Sequence, residues 1–191
     1  MNKIYGTYYE DASVCQEFLN LVFSPSSLPI EQRWRNNDLS ADFLADYFST
    51  FFPVRDHDPA TARRRVEIKS AISFIANELL ENAMKYCDGH PDGVISLQLQ
   101  LHDRHVLFIA SNSVEAAQAE RFQASIRELL ESDPGDLFVQ RLEAGAAQDD
   151  VSGLGFLTMR NDYAAELGWK FEFSEAPPTS GKVITTVKIT L

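Results

Sequence analysis

Glu78 and Asn82 stand four residues apart in the segment Asn77-Glu78-Leu79-Leu80-Glu81-Asn82-Ala83-Met84-Lys85-Tyr86. In a helix that spacing stacks a carboxylate and a carboxamide on one face, with Lys85 about one turn further on. The stripe lies about 100° around the helix axis from Leu79 and Ala83, at the margin of the buried face. An Asn oxygen there is a suitable hard ligand for Mg²⁺, which keeps several waters and takes few protein ligands. A nearby Glu can accept the proton of an attacking hydroxyl. Taken alone, the same pattern equally describes an ordinary amphipathic helix carrying a Glu81–Lys85 surface pair.

A second segment with chemical content is Ser152-Gly153-Leu154-Gly155-Phe156-Leu157-Thr158-Met159-Arg160. Two glycines at the start of a helix let backbone N–H groups approach an anion, where the helix dipole favours negative charge. By itself a Gly-x-Gly is weak, since most such matches are tight turns.

The elements that must position these residues can be read from periodicity. A long helix is expected over Arg63–Tyr86, with Ile68, Ile72, Ile75, Leu79, Ala83 and Tyr86 on its apolar face and Gly89 and Gly93 ending it. Ile95, Leu97, Leu99 and Leu101 then alternate with Ser96, Gln98 and Gln100, the signature of a half-buried strand. Asp103-Arg104 reads as a two-residue turn into an interior strand at Val106–Ala110. Helical patterns follow at 114–131 and 136–144. The glycine turn at 152–155 opens a further helix that Gly168 ends. Strands at Trp169–Phe173 and Lys182–Leu191, joined across Pro177-Pro178 and Gly181, complete the chain. Upstream, residues 12–23 read as a helix through Val14, Phe18, Leu21 and Val22. Residues 40–52 read as another, capped by Ser40, with Leu44, Phe48, Phe51 and Phe52 on its face. That aromatic face reads first as core and next as a dimer contact. The order predicts helices packed on one face of a mixed sheet, an α/β (α+β) two-layer sandwich.

The two motifs in this order resemble the GHKL superfamily, which includes sensor-kinase ATPase domains and anti-sigma-factor serine kinases. Glu78-Leu79-Leu80-Glu81-Asn82-Ala83-Met84-Lys85-Tyr86 is similar to that family's N box, and Ser152-Gly153-Leu154-Gly155-Phe156 to its second glycine box. The resemblance covers residues 63–191 and makes 1–62 an N-terminal helical, aromatic extension packed on a single core. It implies a Bergerat-type fold that binds Mg-ATP beneath a mobile lid, here residues 114–151. By that resemblance Asn82 would hold Mg²⁺, Glu78 would be the base and Lys85 would reach phosphate. Gly153 and Gly155 would frame the triphosphate, and Tyr86, Leu154 and Phe156 would lie along the nucleotide. The family's first glycine box departs: after the strand stands Ala110-Ser111-Asn112-Ser113-Val114, with neither the Asp that accepts from adenine nor its glycines. Asn112 either presents a carbonyl oxygen to an N–H donor or caps the next helix.

Within the family, a histidine kinase needs a phosphorylatable His on an upstream helix. His57, in Arg55-Asp56-His57-Asp58-Pro59, is poorly placed for one. The subclass the chain resembles is the stand-alone serine/threonine kinase of partner-switching modules, the SiaB-like branch in particular. This implies a homodimer acting on a small regulatory protein, a STAS-like anti-sigma antagonist or a response-regulator-linked protein. The alternative is a non-catalytic module that keeps the fold and sequesters a partner.

Bulk properties agree with a folded regulatory domain. The 191 residues are 45% hydrophobic and 24% charged, enough for a sizeable core. A net charge of −11 disfavours nucleic acid and anionic membrane as partners. The short cluster Arg63-Arg64-Arg65 reads as a solvated helix start. No run is apolar enough to span a bilayer, Met1–Tyr5 lacks a signal-peptide core, and Cys15 and Cys87 show no disulfide framework, so the cytoplasm is the expected compartment. Cys87 reads as a small, partly buried thiol, and His102 and His105 as flanking a solvated hairpin turn.

Overall fold

The computed structural model describes residues 2–10, 15, 17–24, 27, 30–87, 93–148, 153–173 and 180–191. These form six strands and five helices in the order β1 (Asn2–Gly6), β2 (Glu17–Phe23), α1 (Ile30–Ser49), α2 (Pro59–Lys85), β3 (Ile95–Leu101), β4 (His105–Glu115), α3 (Ala116–Glu131), α4 (Pro134–Gln148), α5 (Leu154–Tyr163), β5 (Glu166–Phe173) and β6 (Ser180–Thr190). The architecture is α+β. The strands make one sheet in the order β1-β5-β6-β4-β3-β2. Every pairing is antiparallel, which corrects the expected mixed sheet. Both edges come from the N-terminal segment, whose β1 pairs with β5 and β2 with β3.

The registers sort the side chains. Leu97 lies opposite Ala110 and Leu99 opposite Phe108, while Phe108 faces Val187 and Ala110 faces Thr185 across the next pairing. This face continues through Trp169 and Phe171 on β5 and is buried under the helices. The alternation over β3 and the turn at Asp103-Arg104 are as the sequence predicts, with His102 N–H donating to the His105 carbonyl at 2.9 Å.

Helix α2 extends to Pro59, four residues before its expected start. Asp58 caps it by accepting from Ala60 N–H at 3.2 Å, and Pro59 sits at the first helical position, where a missing N–H costs nothing. Its apolar stripe, Ile68 to Ala83, is buried against the sheet and α1. The helix stops at Lys85 with Tyr86 as cap, ahead of Gly93; Gly89 lies outside the described residues. Helix α1 packs alongside through Ala41, Leu44, Ala45 and Phe48, tied by Ser73 Oγ to Asp42 at 2.9 Å and by Lys69 to Asp46. Ser40 lies inside α1 and caps nothing.

Two further expectations are corrected. Of the helix expected over 12–23, residues 12–14 and 16 lie outside the described residues, and 17–23 are a strand, with Leu19, Leu21 and Phe23 half-buried and Phe18 and Val22 exposed. Phe18, Leu21 and Val22 also satisfy a helical spacing, but pairing with β3 satisfies the backbone of both segments. Gly168 lies within β5, and α5 ends instead at Tyr163, capped by Ala164 in the left-handed region at φ +48°. Glycine is needed at 168 for a different reason. The chain leaving β1 crosses there, and a Cβ would come within 2.4 Å of the Thr7 carbonyl oxygen and Tyr8 Cα. Beyond that crossing Tyr9 is anchored over the outer face, its hydroxyl 2.5 Å from Glu166 and 2.9 Å from Lys188. Among the described residues no helix is long and apolar enough to cross a membrane.

Candidate functional site

The last turns of α2 carry Leu79, Leu80 and Ala83 into the core, which leaves Glu78 and Asn82 at the margin of the sheet-facing side. Opposite them starts α5. Its N-cap, Gly153, has φ +92°, a conformation open to glycine and strained for other residues. Gly155 follows two residues on, at the second helical position. A Cβ at Gly155 would fall 1.8 Å from Glu78 Oε2, so the carboxylate rests directly on the first turn of α5.

Asn82, Tyr86, Phe122, Arg141, Gly153 and Phe156 line a crevice of about 120 Å³. A much smaller recess of about 10 Å³ continues inward past Asn112 and Thr185. Asn82, Tyr86, Asn112, Gly153 and Phe156 are therefore brought together, with Glu78 and Gly155 adjoining them. Leu154 is half-buried against the core. Lys85 is exposed at the end of α2 and does not line the crevice.

Asn112 is settled against its helix-capping alternative. It lies inside β4 opposite Val183, is 5% exposed, and uses its amide N–H₂ to donate to the Ser113 carbonyl at 2.8 Å. Its oxygen is the end that could meet an N–H donor. Helix α3 begins after Glu115, which makes no side-chain cap.

The electrostatics single out Glu78. Its carboxyl is held above the usual carboxylate range, first by burial and second by the charge of Glu81. Neither Glu78 nor the Asn82 amide has a hydrogen-bond partner among the described residues, whereas Glu81 accepts from Asn77 at 2.9 Å. Two unspent oxygen donors one turn apart are a donor set that suits a hard divalent cation.

Two residues at this site were not anticipated from sequence. Arg141 on α4 donates to the Gly153 carbonyl at 3.2 Å and pairs with Glu128 at 2.7 Å, its guanidinium filling the space beside Gly153. It is the only basic residue between Arg127 and Arg160, a compositional signal available beforehand. Phe122 on α3 stacks on Tyr86 at 4.7 Å and 11° and approaches Phe156 at 6.3 Å. Phe156 itself is a core residue, set edge-on to Trp169 at 5.3 Å. Arg160 donates to the Leu129 carbonyl, fastening α5 to α3.

Among the described residues, none of the remaining candidates lines the crevice. Cys87 is half-buried with Sγ 3.6 Å from Ser113 Oγ. His102 and His105 stack at 4.3 Å beside the hairpin turn. His57 occupies the turn before α2 with φ +76°, and His90 lies outside the described residues. No protein-family model matches the chain, and no curated protein matches it.

Proposed function

We propose that the chain is an ATP-binding regulatory protein of signal transduction, acting as a Mg-ATP-dependent serine/threonine kinase on a small protein partner. One observation carries this reading: the Glu78 carboxylate rests on the glycine-opened start of α5 while Asn82 lines the same crevice as Gly153. A carboxylate, a carboxamide and a helix N-terminus meeting at one point form a constellation suited to a metal-bound triphosphate. Asn82 Oδ1 would hold Mg²⁺ together with water, and the bound nucleotide would supply the transferable phosphoryl group. Glu78 would take the proton of the partner's hydroxyl, a role that its raised pKa suits.

The crevice also bears on how a nucleotide would enter. Small-molecule sites typically enclose about 300–1,000 Å³, and 120 Å³ is too little for ATP with α3 docked on Tyr86. The reading therefore requires α3 and α4 to lift, breaking the Phe122–Tyr86 stack and the Arg141–Gly153 contact. The same closed crevice, with Asn112 in place of an adenine-accepting Asp, favours a second reading. In it the chain keeps the architecture and binds a protein partner without nucleotide.

Isothermal titration with Mg-ATP separates the two. The kinase reading expects saturable binding that weakens about tenfold or more in Asn82→Ala, the loss of one charge-assisted contact. It expects Glu78→Gln to keep binding while phosphoryl transfer to the partner's hydroxyl is lost. A folded protein that gives no heat would leave the binding-module reading.

A further inference from the structure

A sizeable cavity lies at the other end of α2, away from the crevice. It encloses about 560 Å³ between the first turns of α2, the end of α5 and the end of β6. That size falls within the range of small-molecule sites, about 300–1,000 Å³. Distance separates it from the candidate nucleotide site: Ile68 on its floor and Asn82 are fourteen residues apart on one helix, about 21 Å.

The chemistry of the lining is divided. Ile68, Ala71 and Ile189, each less than a tenth exposed, form an apolar floor. One wall is Tyr163, which is held in place by stacking on Phe74 at 5.5 Å. Burial keeps its phenol protonated well beyond neutral pH, so it is a donor. Arg63 and Arg64 stand at the mouth, and neither guanidinium has an ion pair or hydrogen bond among the described residues. Among the lining side chains Glu67 is the one carboxylate, set against the two arginines. In a chain with 28 acidic and 17 basic residues, two adjacent arginines over an apolar hollow, with no ion pair among the described residues, concentrate positive side chains at one rim. Guanidinium forks match carboxylate and phosphate oxygens.

We propose that this cavity binds a small amphipathic anion, with a carboxylate or phosphate head between Arg63 and Arg64 and an apolar body on Ile68, Ala71 and Ile189. The sequence reading of Arg63-Arg64-Arg65 as a merely solvated helix start is then incomplete. The inference does not rest on the nucleotide reading, since it uses none of the same side chains.

The test is fluorescence titration of the full chain with 1-anilinonaphthalene-8-sulfonate, an aromatic anion, followed by displacement. Saturable one-site binding is expected, weakening as salt rises. The double variant Arg63→Ala/Arg64→Ala, on the exposed rim, should lower affinity about tenfold or more, a loss on the scale of charge-assisted hydrogen bonds. Ala71→Phe should abolish binding by filling the floor. Asn82→Ala should leave it unchanged. Decanoate and 1-naphthyl phosphate serve as competitors, and whichever displaces the dye better identifies the head group. Absence of saturable binding overturns the proposal, as does binding that the arginine variant leaves intact. Equal displacement by decanol or 1-naphthol also overturns it, marking the hollow as an apolar seat for a chain segment.

Discussion

The Glu78 carboxylate occupies the space that a side chain at Gly155 would need, so a residue of α2 and a residue of α5 are sterically matched across the crevice. The glycine at 155 therefore makes room for a neighbour, whereas Gly153 is set by its own dihedral angles.

Gly155→Ala should turn the end of the flexible Glu78 side chain aside and destabilise the fold by no more than about 1 kcal/mol. In a Glu78→Ala background the same change should become neutral or favourable by up to about 1 kcal/mol, since Ala is the better helix former. A double-mutant cycle by urea denaturation checks this, with an expected coupling of about 1 kcal/mol. Additive effects would mean that the two residues do not meet.

The raised pKa of Glu78 has a definite sign in stability. Burial, then Glu81, disfavours the ionised form in the folded state. Between the ordinary carboxylate pKa and the raised folded value the native state holds a proton that the unfolded chain has lost. Stability therefore falls as pH rises through that window. Glu78→Gln should be more stable than the native chain at pH 7, and the difference should vanish near pH 4. Thermal denaturation at the two pH values reads it directly.

Phe122 holds α3 down on Tyr86 and Phe156. Phe122→Leu removes the ring stacking at a cost of about 1 kcal/mol while keeping an apolar side chain on the core. If closure of α3 limits access, a larger open fraction raises apparent affinity in proportion. Tighter Mg-ATP binding by a less stable variant is the expected result of calorimetry on Phe122→Leu, and unchanged affinity would dissociate α3 from the site.

Ala164 and Gly168 make opposite demands on the backbone. Ala164 adopts φ +48° at the end of α5, which costs a non-glycine residue about 1 kcal/mol, so Ala164→Gly should stabilise the fold by about 0.5–1 kcal/mol. Gly168→Ala should cost about 3 kcal/mol, because its Cβ meets backbone atoms of Thr7 and Tyr8 that cannot rotate away. Chemical denaturation of both variants tests whether the sequence reading placed the turn glycine four residues too late.

Much of the framework was legible in the chain alone. The stripe from Ile68 to Ala83 and the alternation from Ile95 to Leu101 are repeats of local geometry, and a period of 3.6 or 2 needs no knowledge of the partner surface. The spacing of Glu78 and Asn82 on one helix face belongs to the same class of information. What tertiary structure decided was everything that depends on residues far apart. Residues 17–23 carry both periods, and only hydrogen bonding to β3, some eighty positions downstream, selects the strand. Gly168 is explained by Thr7 and Tyr8, and Gly155 by Glu78. Arg141 gains its place from the docking of α4 on Gly153, and the width of the crevice from the seat of Phe122. Short-range sterics write secondary structure into sequence, but a cavity is a difference between distant surfaces, and its volume exists only once they are packed together.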